Sequence, residues 1–312
     1  MRILITGGSG LVGKALEHLL SDDKNCKTFF LSSRDCDLTD MKKCIGCFDS
    51  FKPEYVIHLA AEVGGLFKNM RKKVELFTNN VKINMNVLEC CHIFKVKKCI
   101  SCLSTCIFPD NIEYPINEEM LHNGEPHYSN YGYAYAKRML EIQSRLYYEQ
   151  YGDKFVTIIP TNIYGKHDNF HLEDAHVIPA LIHQCYLAKK ENLPFQIRGT
   201  GKPLRQFIYS SDLALLIMDI LENYDDKEPI ILSVSEKEEI SIEKVAKIIA
   251  EVMDYEENLY FEDGYSDGQY KKTASNTKMM KYLNYSFEFT PIKQGILDTV
   301  QWFIENYDNC RK

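Results

Sequence analysis

The strongest constraint on this chain lies at its start: an apolar run, Arg2-Ile3-Leu4-Ile5-Thr6, passes directly into Gly7-Gly8-Ser9-Gly10-Leu11-Val12-Gly13. A buried strand that ends on glycines and opens a helix is the entry to a dinucleotide fold. One glycine permits the sharp turn, another lets the backbone approach a pyrophosphate, and the last lets the helix pack on the strand. The next 150 residues or so keep the rhythm such a fold needs. Residues 2–6, 27–31, 55–60, 98–103 and 154–159 read as strands, alternating with helical patterns over 11–20, 40–50, 70–95 and 131–151. The third helix shows Val74, Phe77, Val81, Asn84 and Leu88 at steps of three and four. Such alternation predicts an α/β fold, a doubly wound parallel sheet with helices on both faces.

After Pro160 the rhythm breaks into a loop (161–179), a helix (180–190), a strand near Phe195-Gln196-Ile197 and the basic turn Gly199-Thr200-Gly201-Lys202-Pro203. Phe207-Ile208-Tyr209 and the helix Leu213 to Leu221 read as a return to the first domain. The expected division is 1–160 plus 205–222 for the dinucleotide domain, with 161–204 plus 223–312 as a smaller, split lobe. With 312 residues, 45% of them hydrophobic, disordered and fibrous classes are excluded. The net charge of −7 argues against a nucleic-acid partner. The longest apolar stretch, 213–221, is interrupted by Asp219 and far short of the ~20 residues a bilayer needs, so no membrane span is expected. The first strand begins at once with no leader before it, which points to the cytoplasm and to reduced thiols. The eleven cysteines include two Cys-x-x-Cys pairs, Cys44/Cys47 and Cys99/Cys102. The second sits in a strand, where residues three apart face oppositely, and both read as small buried hydrophobes. His171 and His176 have no third ligand at a defined spacing, so no metal is expected.

Three groups carry chemistry. The second strand ends Leu31-Ser32-Ser33-Arg34-Asp35, where NAD sites usually place an acid; hydroxyls and a guanidinium suit a 2′-phosphate, and NADP is favoured over a solvent-facing Arg34 paired with Asp35. Tyr133 and Lys137 stand one helical turn apart, downstream of the hydroxyl-rich strand end Ser104-Thr105. An ammonium beside a phenol favours phenolate and a serine shares the bond to a substrate carbonyl, giving a proton relay for carbonyl reduction. Tyr131 and Tyr135 have no lysine four residues on. Cys106, just past the same strand, and His176 in the 161–179 loop suit proton exchange beside a ketone. On spacing alone they read equally well as a core filler and a helix-start residue. Arg198, Lys202 and Arg205, with Lys271 and Lys272, form a cationic concentration that suits a diphosphate or a solvated face.

Taken together, Gly7 to Gly13, His58-Leu59-Ala60-Ala61-Glu62-Val63-Gly64-Gly65, Ser104-Thr105-Cys106, Tyr133 to Lys137, Pro160-Thr161-Asn162-Ile163-Tyr164-Gly165 and His176-Val177-Ile178-Pro179 resemble the extended short-chain dehydrogenase/reductases, and within them the GDP-L-fucose synthase family. The glycine loop and the Tyr/Lys pair mark only the superfamily; Cys106 and His176 in their settings mark the narrower family. The resemblance implies NADPH-dependent 3,5-epimerisation and 4-reduction of GDP-4-keto-6-deoxy-D-mannose by a homodimer, with Ser104, Cys106, Tyr133, Lys137 and His176 catalytic. It implies cofactor contacts from the glycine loop (Gly7, Gly8, Ser9, Gly10, Leu11, Val12, Gly13), Ser33, Arg34, Asp37, Ala60, Ala61, Lys137, Pro160, Thr161, Asn162, Ile163 and His176. Substrate contacts are implied for Asn162, Gln184, Arg198, Arg205, Asp267 and Lys272. Members commonly carry a tryptophan just before the Gly-Thr-Gly turn, where this chain has Arg198, leaving a guanidinium plane to stack on the base. A dehydratase or 4-epimerase with the same Ser/Tyr/Lys core is disfavoured because Cys106 and Ile107 stand where an acidic pair would serve elimination. A non-catalytic NADP-binding sensor is the rival from another class, and such proteins tend to lose the Tyr/Lys pair.

Overall fold

The alternation becomes a six-stranded parallel sheet in the computed structural model, which describes residues 1–262, 264 and 269–312. The chain runs β1 (Arg2–Thr6), α1 (Leu11–Leu20), β2 (Lys27–Leu31), α2 (Met41–Phe51), β3 (Tyr55–His58), α3 (Leu66–Arg71), α4 (Lys73–Ile93), β4 (Lys98–Cys102), α5 (Tyr131–Tyr151) and β5 (Phe155–Pro160). It continues through β6 (Asn162–Tyr164), α6 (Val177–Glu191), β7 (Phe195–Arg198), β8 (Leu204–Arg205), β9 (Phe207–Tyr209), α7 (Ser210–Asn223) and β10 (Ile230–Leu232). Last come β11 (Ile240–Ser241), α8 (Ile242–Val252), β12 (Leu259–Glu262), α9 (Thr277–Leu283) and α10 (Ile292–Glu305).

The sheet order is β2-β1-β3-β4-β5-β10, so β1 pairs with β2 on one side (Ile3↔Thr28) and β3 on the other (Ile3↔Tyr55). Both faces of β1 are covered, which is why it reads as a continuous apolar run. Leu4 packs with Phe48, Val56 and Leu88 in one core, while Ile3 and Ile5 pack with Leu16 and Ile217 in the other. Because the strand order reverses between β1 and β3, a crevice opens at their carboxyl ends, and the loops after both strands converge there. A third core, with Phe170, Ile182, Phe195, Ile249 and Phe303, holds α6, α8 and α10 to β7 and β12. No helix among the described residues is long and apolar enough to cross a membrane.

Three expectations are corrected. The helix read over 70–95 is two, α3 and α4, broken at Lys72 (φ −117°, ψ 44°). The Asn69 side-chain amide donates to the carbonyls of Gly64 (2.6 Å) and Gly65 (3.1 Å), fixing the start of α3 to the loop after β3. The helix read over 180–190 begins at Val177, with His176 at its N-cap. Ile230–Leu232, assigned from sequence to the second lobe, pairs with β5 as the edge strand of the main sheet (Ile231↔Ile159). Phe207–Tyr209 pairs with β6 outside that sheet, while Ile208 and α7 pack with Ile3, Ile5 and Leu16 of the first domain.

Candidate active site

At the crevice, Gly7 takes φ +71°, and a Cβ there would stand 2.9 Å from the Ala60 amide nitrogen. A Cβ at Gly13 would meet the Gly8 carbonyl oxygen at 2.6 Å, so α1 starts hard against the turn. Gly10 caps α1 without a side-chain bond, and no acid occupies the first turn. The N–H groups opening α1 are therefore aimed at the crevice with nothing anionic beside them, a seat that fits a dinucleotide diphosphate. At the end of β2 the acids are already engaged. Ser32 donates from N and Oγ to Asp35 (2.8 and 2.6 Å), and these bonds hold that carboxyl below its ordinary range. Thr39 does the same for Asp37 (3.0 and 2.7 Å). Ser33 and Arg34 are exposed, and Arg34 makes no salt bridge among the described residues. The surface that would meet the adenosine ribose thus presents a hydroxyl and a cation, as a 2′-phosphate requires.

Farther along the crevice, β4 ends in a single 3-10 turn, Thr105–Ile107, capped by Ser104, whose Oγ accepts from the Cys106 amide (3.4 Å). Helix α5 lies against it. Lys137 is 2% exposed, donates to the Cys102 carbonyl (2.6 Å) and sits 5.8 Å from the centroid of the Tyr133 ring. Burial raises the Tyr133 phenol well above its ordinary value, reinforced by the neighbouring Cys106 and Cys102 thiols. Burial likewise lowers Lys137, opposed by the same two thiols. The Cys106 thiol is raised by burial and drawn back by the Lys272 ammonium, the Ser104 hydroxyl and Lys137. Ser104, Cys106, Tyr133, Lys137 and Lys272 therefore form one electrostatically linked group.

His176 stands on a separate segment, at the N-cap of α6. The loop carrying it is hooked to the segment after β3 through Gly65 N–H to the Asp174 carbonyl (3.1 Å). The residue is exposed at the N-cap of α6, and desolvation by the surrounding protein holds the imidazole below its ordinary proton affinity. Gln184 lies two turns along α6 from His176. Asn162 donates its side-chain amide to the Gln206 carbonyl (2.8 Å) at the mouth between β6 and β9. Thr161 is buried, with an unpartnered hydroxyl.

The cationic concentration resolves into distinct pieces. Arg205 donates to the carbonyls of Gln269 (2.6 Å) and Leu204 (2.7 Å), and burial depresses it. Lys272 is lowered by burial, held up by Cys106, lowered again by Arg205 and held up by Asp110. Lys271 turns away to Glu239 (3.8 Å). Arg198 ends β7, and Lys202 is exposed in the turn. Asp267 lies outside the described residues. Trp302 packs at a tilt against His167 (4.4 Å between centroids) and stacks on Phe170 (6.1 Å) in the third core. Two open grooves of about 570 and 590 Å³ meet around Leu259 and share no residue with this cleft, so the chemistry is not located by them.

Sequence reasoning missed a polar chain beneath the site. Thr6 Oγ1 bonds His58 Nδ1 (2.8 Å), His58 Nε2 bonds Asn84 Oδ1 (3.0 Å), and Asn84 donates to the Ala136 carbonyl (3.4 Å), next to Lys137. Since the Asn84 oxygen only accepts, His58 carries its proton on Nε2. Burial and the Lys137 charge push His58 down to about 3, keeping it neutral. Gln206 was missed as well: it is fully buried and bonds Val234 and Ala274, tying β9 to the segment that carries Lys272.

Comparison with known proteins gives the family. The NAD dependent epimerase/dehydratase family profile matches residues 3–235. The chain is 56% identical over 312 residues to the GDP-L-fucose synthase of Dictyostelium discoideum, covering 99% of this chain and 97% of that protein. It is 46% identical to a probable GDP-L-fucose synthase of Drosophila melanogaster, covering 100% and 99%. A crystal structure of a GDP-L-fucose synthetase from Naegleria fowleri bound to NADP superposes with a TM-score of 0.95 at 51% identity, covering 100% of this chain and 95% of that one. The chain therefore belongs to the NAD dependent epimerase/dehydratase family, in the branch formed by the GDP-L-fucose synthases.

Proposed function

We infer that this protein is an NADPH-dependent enzyme that converts GDP-4-keto-6-deoxy-D-mannose to GDP-L-fucose. The observation that carries this reading is the grouping of a thiol, Cys106, with Ser104, Tyr133 and Lys137, since carbonyl reduction alone has no use for the thiol. NADPH would be held by the first turn of α1 and by Ser33 and Arg34, and when bound supplies the hydride for C4. A 4-ketone acidifies the hydrogens on C3 and C5. Cys106 and His176 remove and return those protons from opposite faces, so that each centre inverts with no net proton gain. Ser104 and Tyr133 hydrogen-bond the C4 oxygen while enolate charge develops there. In the reduction, the O–H bond of Tyr133 breaks as its proton passes to that oxygen. Lys137 steadies the phenolate, and solvent restores the proton. Arg205 and Lys272, the latter electrostatically linked to Cys106, are suited to the diphosphate of the GDP moiety.

The enzyme works as a homodimer in the cytoplasm on this reading. Support for the dimer comes from α4 and α5, which pack side by side and leave Val74, Phe77, Met85, Met139, Ile142 and Leu146 each at least 37% exposed. A second copy laid on these stripes would bury them in a four-helix contact. All eleven cysteines are free thiols, as a reducing compartment maintains. Incubation with NADPH and GDP-4-keto-6-deoxy-D-mannose in heavy water tests the reaction: GDP-L-fucose carrying deuterium at C3 and C5 is expected. Absence of turnover, or a product retaining its original hydrogens at both carbons, would overturn the reading.

A further inference from the structure

Arg138 follows the catalytic lysine on α5, is 5% exposed, and takes no part in the proton transfers or the hydride step. Its Nε donates to the Ile107 carbonyl (2.6 Å) and its Nη1 to the Gly124 carbonyl (2.7 Å). Those carbonyls stand at the two ends of a loop that leaves the chain immediately after Cys106 and returns before α5. The loop's neck is narrow: Pro109 bridges Pro126, and the Asp110 amide donates to Glu125 (3.0 Å). Its far part grips the segment that carries Lys272. The Ile116 amide donates to Thr273 (2.8 Å), the Ser275 amide to Ile116 (2.8 Å), and the Tyr114 hydroxyl to Lys271 (2.7 Å).

Consecutive residues of one helix therefore hold the two ends of the Cys106 turn, Lys137 at Cys102 and Arg138 at Ile107. Only a planar fork with donors on several nitrogens can bond two carbonyls from separate chain segments in fixed directions. Packing alone does not account for this side chain, since its Nη2 is buried without a partner. We propose that Arg138 is a positioning residue: it clasps the neck of the 108–123 loop and so sets Cys106 against the helix that carries Tyr133 and Lys137. The inference rests on the proposed epimerase-reductase reaction and assigns Arg138 to its epimerisation half, because hydride transfer needs only groups that α5 and Ser104 already hold.

The test is product analysis in heavy water for Arg138→Met and Arg138→Lys beside the unmodified enzyme, with NADPH affinity measured separately. Releasing the clasp displaces Cys106 on the ångström scale, so epimerisation in Arg138→Met is expected to fall roughly 10²-fold relative to C4 reduction. Its product becomes a 6-deoxy sugar nucleotide that keeps its C3 and C5 hydrogens, while NADPH affinity is unchanged. Arg138→Lys, able to reach one carbonyl, should give an intermediate product ratio, and it serves alone if Arg138→Met does not fold. A merely structural arginine would lower both half-reactions together. An unchanged product ratio in Arg138→Lys, or an equal loss of both steps, overturns the clasp while the enzyme's function stands. Failure of the unmodified enzyme to epimerise overturns the function and the clasp with it.

Discussion

Asp168 lies on the loop between β6 and the His176 helix, 5% exposed. One carboxyl oxygen accepts from the Asn169 amide (2.7 Å), and the other is buried with no partner. Burial raises this carboxyl to about 7 from an ordinary 3.8, with only partial relief from the Asn169 amide and the Arg311 charge. The folded state thus holds the proton more tightly than the unfolded chain. Its contribution to stability is full below about pH 4 and is lost as pH rises through about 7. At ~1.4 kcal/mol per pH unit, the whole effect is about 4 kcal/mol, of which about 2–3 kcal/mol falls between pH 5 and pH 8. Asp168→Asn cannot ionise, and its unpaired amide costs a pH-independent amount of about 1–3 kcal/mol. Urea unfolding of both proteins without cofactor, across that pH range, isolates the term. His58 favours the opposite trend, since burial holds it at about 3 and its stabilisation is lost as pH falls below its ordinary value, but it cancels in the difference. The stability difference should move in favour of the variant by about 2–3 kcal/mol from pH 5 to pH 8. A difference independent of pH would mean that Asp168 is already ionised at pH 5, and the burial account would be wrong.

Four further outcomes are expected. Tyr133→Phe should abolish reduction while NADPH still binds, and retained reductase activity would remove Tyr133 from the relay. Arg34→Asp should weaken NADPH by ~1–3 kcal/mol and spare NADH, measured by titration of cofactor fluorescence; equal affinities in the unmodified protein would refute the 2′-phosphate assignment. Cys106→Ser should suppress deuterium entry at C3 and C5 because an alcohol is a far weaker acid than a thiol, with His176→Asn impairing at least one centre; normal labelling in both would return Cys106 to core filler. Ile142→Arg with Leu146→Arg should give monomers in analytical ultracentrifugation, and an unchanged dimer would locate the contact elsewhere.

What could be read from sequence was what is local. Gly7 to Gly13 and the Tyr133/Lys137 pair act through neighbours within a turn or two, so their spacing carries their meaning. Lys72 could not be read as a helix break, because the apolar period runs on through it. Asn84 fell at a core position of a helical pattern, but its reason for being there is His58, on another strand. Val74 and Phe77, in that same pattern, face outward, since α4 has apolar residues on two sides. Ile230–Leu232 is too short to announce itself as a strand and gains its identity from β5. Arg138 and Asp168 are informative only once the carbonyls around one and the empty surroundings of the other are seen.

The edge position of β10 has a consequence for how the chain comes to be folded. All six residues of β5 are buried, and one side of its ladder is closed by a strand that follows β5 by some seventy residues. During synthesis, β1 to β5 can assemble well before Ile230–Leu232 is available, leaving an apolar strand with unpaired N–H and C=O groups at the border of a nascent sheet. That interval is the chain's window for pairing with the wrong partner. A chain ending at residue 229 should self-associate through β5, with protection from hydrogen exchange of those β5 amides that face away from β4 appearing only in the oligomer, whereas the whole chain shields the same amides as a single copy.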